Sequence, residues 1–182
     1  MTNPAAPGFS ARRREEMIRV DHAGEFGAVQ IYRGQRAVFE RIAGKTKTAA
    51  LIAEMEAGEK THLETFDRLA RERGVRPTAM APLWNVAGFA LGAATALLGE
   101  KAAHACTAAV EEVIEEHYGK QAEVLGDSDP ASRATIEQFR ADEIGHKDTA
   151  IAEGAHEAPG YAFLSTAIKL GCRAAIAISE KV

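Results

Sequence analysis

Residues 59–62 read Glu-Lys-Thr-His, and residues 143–146 repeat the pattern as Glu-Ile-Gly-His. On an α-helix, a glutamate and a histidine three residues apart lie on one face and can bind the same metal ion. A single glutamate, Glu25 or Glu111, precedes each pair by about the length of a helical hairpin. Two such pairs with two lone glutamates form the ligand set of a dinuclear metal site inside a four-helix bundle. The sequence therefore predicts an all-α bundle with the metal ligands Glu25, Glu59, His62, Glu111, Glu143 and His146.

The breaks between the predicted helices place each set of ligands at one level. In an antiparallel hairpin, two residues lie level when their midpoint falls on the turn. The midpoint of Glu25 and His62 falls in the glycine-containing break at 43–46, where a helix is expected to stop. The second set is level across the break at 126–130, which ends in a proline suited to a first helical position.

A third Glu-x-x-His pair, Glu153 and His156, fails this test. It lies about 15 Å beyond the second pair along the helix axis, and we predict that it is a surface or helix-end feature. The choice between Glu111 and its neighbour rests on the helix face. Glu112 shares its face with further glutamates, so we place Glu111 inside the bundle and Glu112 in solvent.

The six predicted ligands lie within apolar stripes that should face the core, where an isolated charge is costly unless it is paired or bound to a metal. Carboxylate and imidazole donors without thiolate suit iron or manganese better than copper or zinc. Two ferrous ions side by side could deliver two electrons to O2, for hydroxylation or for ferroxidase chemistry. Tyr118, two turns after Glu111, is a candidate catalytic residue. Asp142 and Asp21 are candidates to hydrogen-bond the free nitrogen of a ligating histidine such as His62.

Length and composition bound the class of protein. The chain has 182 residues and a net charge of −4, which suits one domain and argues against nucleic-acid binding. Cys106 and Cys172 are isolated, so neither a disulfide framework nor a zinc ribbon is expected. We expect residues 1–10 to be disordered and residues 11–182 to form a single domain, and no secretory signal is visible.

Periodicity and breaks predict six helices and no strands. The expected helices cover about 11–42, 47–73, 81–99, 100–125, 131–156 and 161–180. The first two helices form one hairpin, and the fourth and fifth form a similar one. A long link that carries its own helix is typical of a bundle with one crossover. The predicted fold class is a ferritin-like four-helix bundle with two additional apolar helices.

Two segments, 80–98 and 161–178, are unusually apolar. The first is long enough to be scored as a membrane span, but Pro82 and Asn85 interrupt it, and a span would pull the link out of a compact bundle. A helix packed on the bundle and a helix lying on a bilayer surface are equally open interpretations.

One run of the sequence is long and specific. Residues 20–28 read Val-Asp-His-Ala-Gly-Glu-Phe-Gly-Ala. This run, together with residues 59–63, 105–112, 117–118, 139–146 and 171–180, resembles the demethoxyubiquinone hydroxylases of ubiquinone biosynthesis. The resemblance extends from about Arg19 to the C-terminus, and the family's ligand positions agree with the six chosen by register.

The resemblance implies a di-iron monooxygenase with two Fe ions per chain, O2 as co-substrate and an external reductant. Its substrate would be a polyprenylated demethoxy-quinol, and its membrane association would be peripheral, with contacts through 80–98 and 161–178. The implied location is the cytoplasmic face of a bacterial inner membrane, or the matrix side of the mitochondrial inner membrane for a trimmed mature form. The sequence leaves open a homo-oligomer, an accessory lipid-binding protein and a reductase as partners.

Two other functions use parts of the same pattern. A ferroxidase or iron-storage bundle would share the ligands but favour a polar exterior. A non-enzymatic lipid-binding adaptor would keep the apolar helices and need no metal. Metal content separates the adaptor from the enzymes, and product analysis with a demethoxy-quinol under O2 separates the enzymes from one another.

Overall fold

The computed structural model describes residues 10–182 and shows an all-helical chain, without a strand in that range. The six α-helices are α1 (Ala11–Phe39), α2 (Thr46–Arg73), α3 (Ala81–Leu97), α4 (Glu100–Leu125), α5 (Pro130–Ala152) and α6 (Tyr161–Ser179). A short 3-10 helix, Ala155–Glu157, precedes α6. The predicted fold class is confirmed. The predicted disorder at 1–10 falls outside the described residues except at Ser10, whose side chain caps α1 by accepting a hydrogen bond from the Arg13 N–H.

Two helices end three or more residues earlier than the sequence predicted. α1 stops at Phe39, three residues short, and α5 stops at Ala152, four residues short. Gly154 follows α5 with φ +94°, a left-handed conformation that favours glycine and ends helices. Glu153 and His156 therefore do not share a helix, and the third Glu-x-x-His pair does not form a helical metal-binding pair.

The helices form two hairpins joined by α3. α1 pairs with α2 and α4 pairs with α5, while α3 packs mainly on α1 and α6 mainly on α4. Buried aromatic and aliphatic side chains of the bundle meet in a core around Phe66, Tyr118, Ile136 and Phe139. The four bundle helices therefore surround the predicted ligands, and α3 and α6 form an additional layer on α1 and α4.

Glycines allow the backbones of α3 and α1 to come into direct contact. A methyl group placed on Gly92 would lie 1.9 Å from the carbonyl oxygen of Ile31, and one on Gly34 would lie 2.2 Å from the carbonyl oxygen of Phe89. Carbon atoms in contact are normally about 3.5–4.0 Å apart, so no side chain fits at either glycine. One face of α3 therefore packs on the bundle, as one of the two interpretations of 80–98 expected.

The outer faces of α3 and α6 carry large apolar side chains. The exposed ones are Leu83, Val86, Phe89 and Leu97 on α3 and Phe163, Leu170 and Ile178 on α6. By length and composition, α6 alone among the described helices could cross a membrane, which is weak evidence for a span. Only 17% of the apolar stretch of α6 is buried. The layer formed by α3 and α6 therefore presents a broad apolar surface to its surroundings.

Candidate metal centre

Four helices bring the six predicted ligands together inside the bundle. Glu25 lies on α1, Glu111 lies on α4, and the two Glu-x-x-His pairs lie on α2 and α5. The four glutamates are at most 1% exposed. Their donor atoms fall into two groups within 4.8 Å, one of Glu25, Glu59, His62 and Glu143 and the other of Glu59, Glu111, Glu143 and His146. Glu59 and Glu143 belong to both groups, which makes them the candidates to bridge two ions.

The donor atoms of this cluster lack hydrogen bonds of good geometry. Buried polar groups are normally hydrogen-bonded, because an unpartnered one costs about 1–3 kcal/mol or more. Hard carboxylate oxygens and imidazole nitrogens match iron or manganese, so the residues fit a pair of such ions. In the cluster, the buried atoms that make no hydrogen bond of good geometry are Oε2 of Glu25 and Glu111, both carboxylate oxygens of Glu59 and Glu143, and Nδ1 of His62 and His146.

Burial and mutual repulsion change the acidity of the cluster. Burial, reinforced by the charges of Glu59 and Glu143, raises the pKa of Glu25 and of Glu111 well above the usual range. Burial also opposes ionisation of Glu59, but contacts with the histidines, His146 first, lower its pKa to about 2. Burial favours neutral His146, yet Glu143 and Glu59 raise its pKa to about 10. The side chains therefore hold protons that a divalent cation must displace on binding.

Two tyrosines cross between the hairpins to hold glutamates. Tyr118 on α4 donates a hydrogen bond to Glu25 on α1, and Tyr32 on α1 donates one to Glu111 on α4 at 2.5 Å. Burial and the adjacent carboxylates raise the pKa of both phenols well above the ordinary value, so both remain donors. Tyr118 was a candidate from the sequence and Tyr32 was not, although each tyrosine lies two turns after the glutamate of its own helix.

His62 is held from its outer side. Its Nδ1 faces the cluster, 3.1 Å from Oε1 of Glu143, while its Nε2 lies 3.2 Å from Oδ2 of Asp142. The ring also stacks on Phe139, with centroids 4.0 Å apart. Asp142 therefore lies beside the ring nitrogen of His62 that points away from the cluster.

Asp21 has different partners from those the sequence suggested. Its Oδ1 lies 3.1 Å from Nε2 of His117 and accepts a hydrogen bond from the Gln121 side chain at 2.6 Å. Burial raises the pKa of Asp21, against the lowering effect of His117. Asp21 therefore orients His117, which is not one of the six predicted ligands.

The glutamates that the sequence analysis set aside lie at the surface. Glu112 forms an ion pair with Lys169 at 2.6 Å, whereas Glu111 is 1% exposed. Glu153 is an exposed residue paired with Lys47 at 3.5 Å.

One buried carboxylate, Glu56, was not anticipated. It is fully buried and lies 2.6 Å from Lys60, 3.3 Å from Arg36 and 3.8 Å from Arg33. Three cations balance its charge, and it belongs to neither donor group, so it is a structural ion-pair residue. Its position one turn before Glu59, on the same face of α2, was the available signal.

A cavity of about 490 Å³ lies against the cluster on the side of α3 and α6. Its walls come from α1, α3, α4 and α6 and are almost entirely apolar. The polar side chains among them include Glu25, Tyr118, Asp21 and His117. Pockets of this size commonly bind small molecules through apolar walls and a few polar groups. The cavity therefore offers an apolar compound direct access to Glu25.

The sequence matches the family model described as "Ubiquinone biosynthesis protein COQ7" over residues 12–179. The chain belongs to the COQ7 family. This match confirms the resemblance that the motifs suggested, and it spans nearly all of the described residues.

Curated COQ7 relatives carry hydroxylase names. The chain is 51% identical to the "3-demethoxyubiquinol 3-hydroxylase" of Rhodospirillum rubrum, over 92% of this chain and 78% of that protein. It is 49% identical to the "NADPH-dependent 3-demethoxyubiquinone 3-hydroxylase, mitochondrial" of Mus musculus and 47% identical to the protein of that name from Homo sapiens, each over 92% of this chain and 77% of the relative.

Proposed function

We propose that this COQ7-family chain is a di-iron monooxygenase that hydroxylates the ring of a demethoxy-polyprenyl quinol in ubiquinone biosynthesis. The observation that carries the proposal is the contact between the apolar cavity and the carboxylate-histidine cluster, at Glu25 and Tyr118. The names of the relatives give the reaction class. Two iron ions held by the six side chains would pass electrons from the external reductant to O2, so that one oxygen atom of O2 enters the ring and the other leaves as water.

The side chains of the cavity bind and orient the substrate. Its apolar walls favour a quinol ring and the first part of its prenyl chain, because burying apolar surface contributes about 25 cal/mol per Å². His117, oriented by Asp21, is a polar group of the wall that can hydrogen-bond a ring oxygen. A ferroxidase does not require an apolar cavity of this size, so the cavity favours an organic substrate over iron as cargo.

The direct test is product analysis. Iron-loaded protein is mixed with a short-chain demethoxy-quinol, a chemical reductant and ¹⁸O₂, and the products are analysed by mass spectrometry. We expect one ¹⁸O atom in the ring hydroxyl, and no product from protein stripped of iron. Absence of hydroxylated product from protein that holds two irons would overturn the proposal.

Tyr118→Phe removes the hydrogen bond to Glu25 without changing the ring. We expect turnover to fall by about 10–100-fold, the usual effect of losing a partner of a metal ligand. Tyr32→Phe is the matched variant, because it removes the equivalent bond to Glu111. Turnover and bound iron are measured for both, and wild-type values in both would show that neither bond supports the site.

We propose peripheral membrane association through the exposed faces of α3 and α6. Leu97 is 73% and Phe163 82% exposed, and moving such side chains out of water contributes about 1.5–3 kcal/mol each. Leu97→Glu and Phe163→Glu should each weaken binding to vesicles by about tenfold or more. The matched control is Val124→Glu on α4, 36% exposed in the wild type, which should leave vesicle co-sedimentation unchanged. Equal sedimentation of all variants would contradict this surface.

The remaining partners follow from the substrate and the relatives. We place the protein at the cytoplasmic face of a bacterial inner membrane, or at the matrix side of the mitochondrial inner membrane in a eukaryote. The electrons come from an external reductant, and the names of the mitochondrial relatives specify NADPH for those proteins. A reductase, an accessory lipid-binding protein and assembly into a homo-oligomer stay predictions.

A further inference from the structure

The two hairpins are related by an approximate internal repeat, and one position breaks it beside the metal ligands. Each Glu-x-x-His pair is preceded by one residue that faces the opposite hairpin: Asp142 before Glu143, and Gly58 before Glu59. Asp142 reaches His62 of the first hairpin. Gly58 occupies the corresponding place beside His146, where it has no side chain to offer.

The space at Gly58 faces the outer nitrogen of His146. A methyl group placed on Gly58 would lie 3.4 Å from both Nε2 and Cε1 of His146, an ordinary contact distance. The backbone therefore brings this position as close to His146 as a supporting side chain would need. The two hairpins therefore differ at this position, because His62 has a carboxylate partner and His146 faces a glycine.

The surroundings of the two rings differ in the same direction. His62 is 4% exposed and stacked on Phe139 at 4.0 Å, whereas the His146 side chain is 17% exposed. The aromatic neighbour of His146 is Tyr32, edge-on at 6.3 Å. Nδ1 of His146 lies 2.8 Å from Oε1 of Glu59, so both rings direct the same nitrogen to the cluster but only one is fixed from behind.

We infer that the two metal positions are unequal: the position that uses His62 binds its ion more tightly, and the position that uses His146 fills last and exchanges first. This inference rests on the proposed two-ion site. A carboxylate behind a ligating histidine fixes the ring and raises its basicity, and its loss typically lowers metal affinity by about 10–100-fold. Asp142 is thus a positioning residue for one ion, and Gly58 marks the absence of its counterpart.

Titration with Mn²⁺ alone tests the inequality without any turnover. Metal-free full-length protein is titrated in oxygen-free buffer, and free Mn²⁺ is measured by electron paramagnetic resonance. We expect two binding steps with dissociation constants at least about tenfold apart. A crystal grown with one equivalent of Mn²⁺ should show anomalous density between Glu25 and His62. Two equal steps, or density first beside His146, would overturn the inference.

Two substitutions should each narrow the difference between the two binding steps, one by weakening the tighter step and the other by strengthening the weaker step. Asp142→Asn, a conservative change at a side chain that is 42% exposed, should weaken the tighter step by about 10–100-fold. Gly58→Asp should strengthen the weaker step and narrow the difference. The matched controls are Asp148→Asn on α5 and Ala57→Asp on α2, which make the same changes in charge at exposed positions. If each variant behaves like its control, the assignment of Asp142 and Gly58 is wrong.

The outcomes separate this inference from the proposed function. Two ions bound with equal affinity by an active hydroxylase would overturn only the inequality. Two unequal steps in a protein that forms no hydroxylated quinol would overturn only the proposed reaction. Failure to bind any Mn²⁺ at the cluster would overturn both.

Discussion

Replacing Glu59 or Glu143 with alanine should reduce hydroxylation to background and remove metal from the protein. Each of these glutamates belongs to both donor groups, so its loss would remove a proposed ligand of both ions. The substitution also removes one of the buried carboxylates that each histidine contacts. Iron content by elemental analysis and turnover with a demethoxy-quinol measure both effects.

The control for these variants is Glu153→Ala, which changes the exposed glutamate of the third Glu-x-x-His pair. It should keep wild-type iron content and turnover, because a surface ion pair contributes at most about 1 kcal/mol. Full activity after loss of Glu59 or Glu143 would contradict the assignment of these residues to the metal site. Loss of iron from the Glu153 variant would mean that a different set of ligands operates.

Gly92→Ala should largely abolish turnover while leaving the metal ligands in place. The added methyl group would lie 1.9 Å from the Ile31 carbonyl oxygen, so α3 must move away from α1. Overpacking of this kind typically costs about 1–3 kcal/mol. Because Gly88 and Leu91 of α3 line the cavity, the displacement deforms the substrate site without touching a predicted ligand. The measurements are thermal unfolding, bound iron and turnover.

A second glycine provides the matched control for that variant. Gly145 lies in α5, and a methyl group placed there meets nothing within 4 Å. Gly145→Ala should therefore raise the free energy of unfolding by up to about 1 kcal/mol, since glycine is unfavourable within a helix. Wild-type turnover by Gly92→Ala, at wild-type stability, would show that the close approach of α3 is not required.

The convergence of the six side chains was predictable because residues on one face of a helix recur at a fixed spacing. Glu59 and His62 share a face, and the turn after α1 places Glu25 level with them. Periodicity also indicated that Glu111 rather than Glu112 would be buried. These inferences need only the 3.6-residue repeat and the length of a hairpin, both of which can be read from the sequence.

Features that depend on two distant segments were not predictable in the same way. Tyr32 has the same spacing as Tyr118, but only the antiparallel placement of α1 and α4 shows that each reaches the other's glutamate. From the sequence alone, Glu56 has the pattern of a surface residue, because the sequence does not show that Arg36 of α1 lies beside it. The cavity requires the approach of α3 through Gly92, and small residues within an apolar segment do not specify which helix they will contact.

No residue of α2 or α5 lines the 490 Å³ cavity, although those two helices supply four of the six predicted ligands. A lipid-like inhibitor that fills the cavity would therefore compete with the quinol and leave most of the ligand set uncovered. Such a compound should block turnover without acting as a chelator, and its potency should depend on lipid content rather than on iron supply.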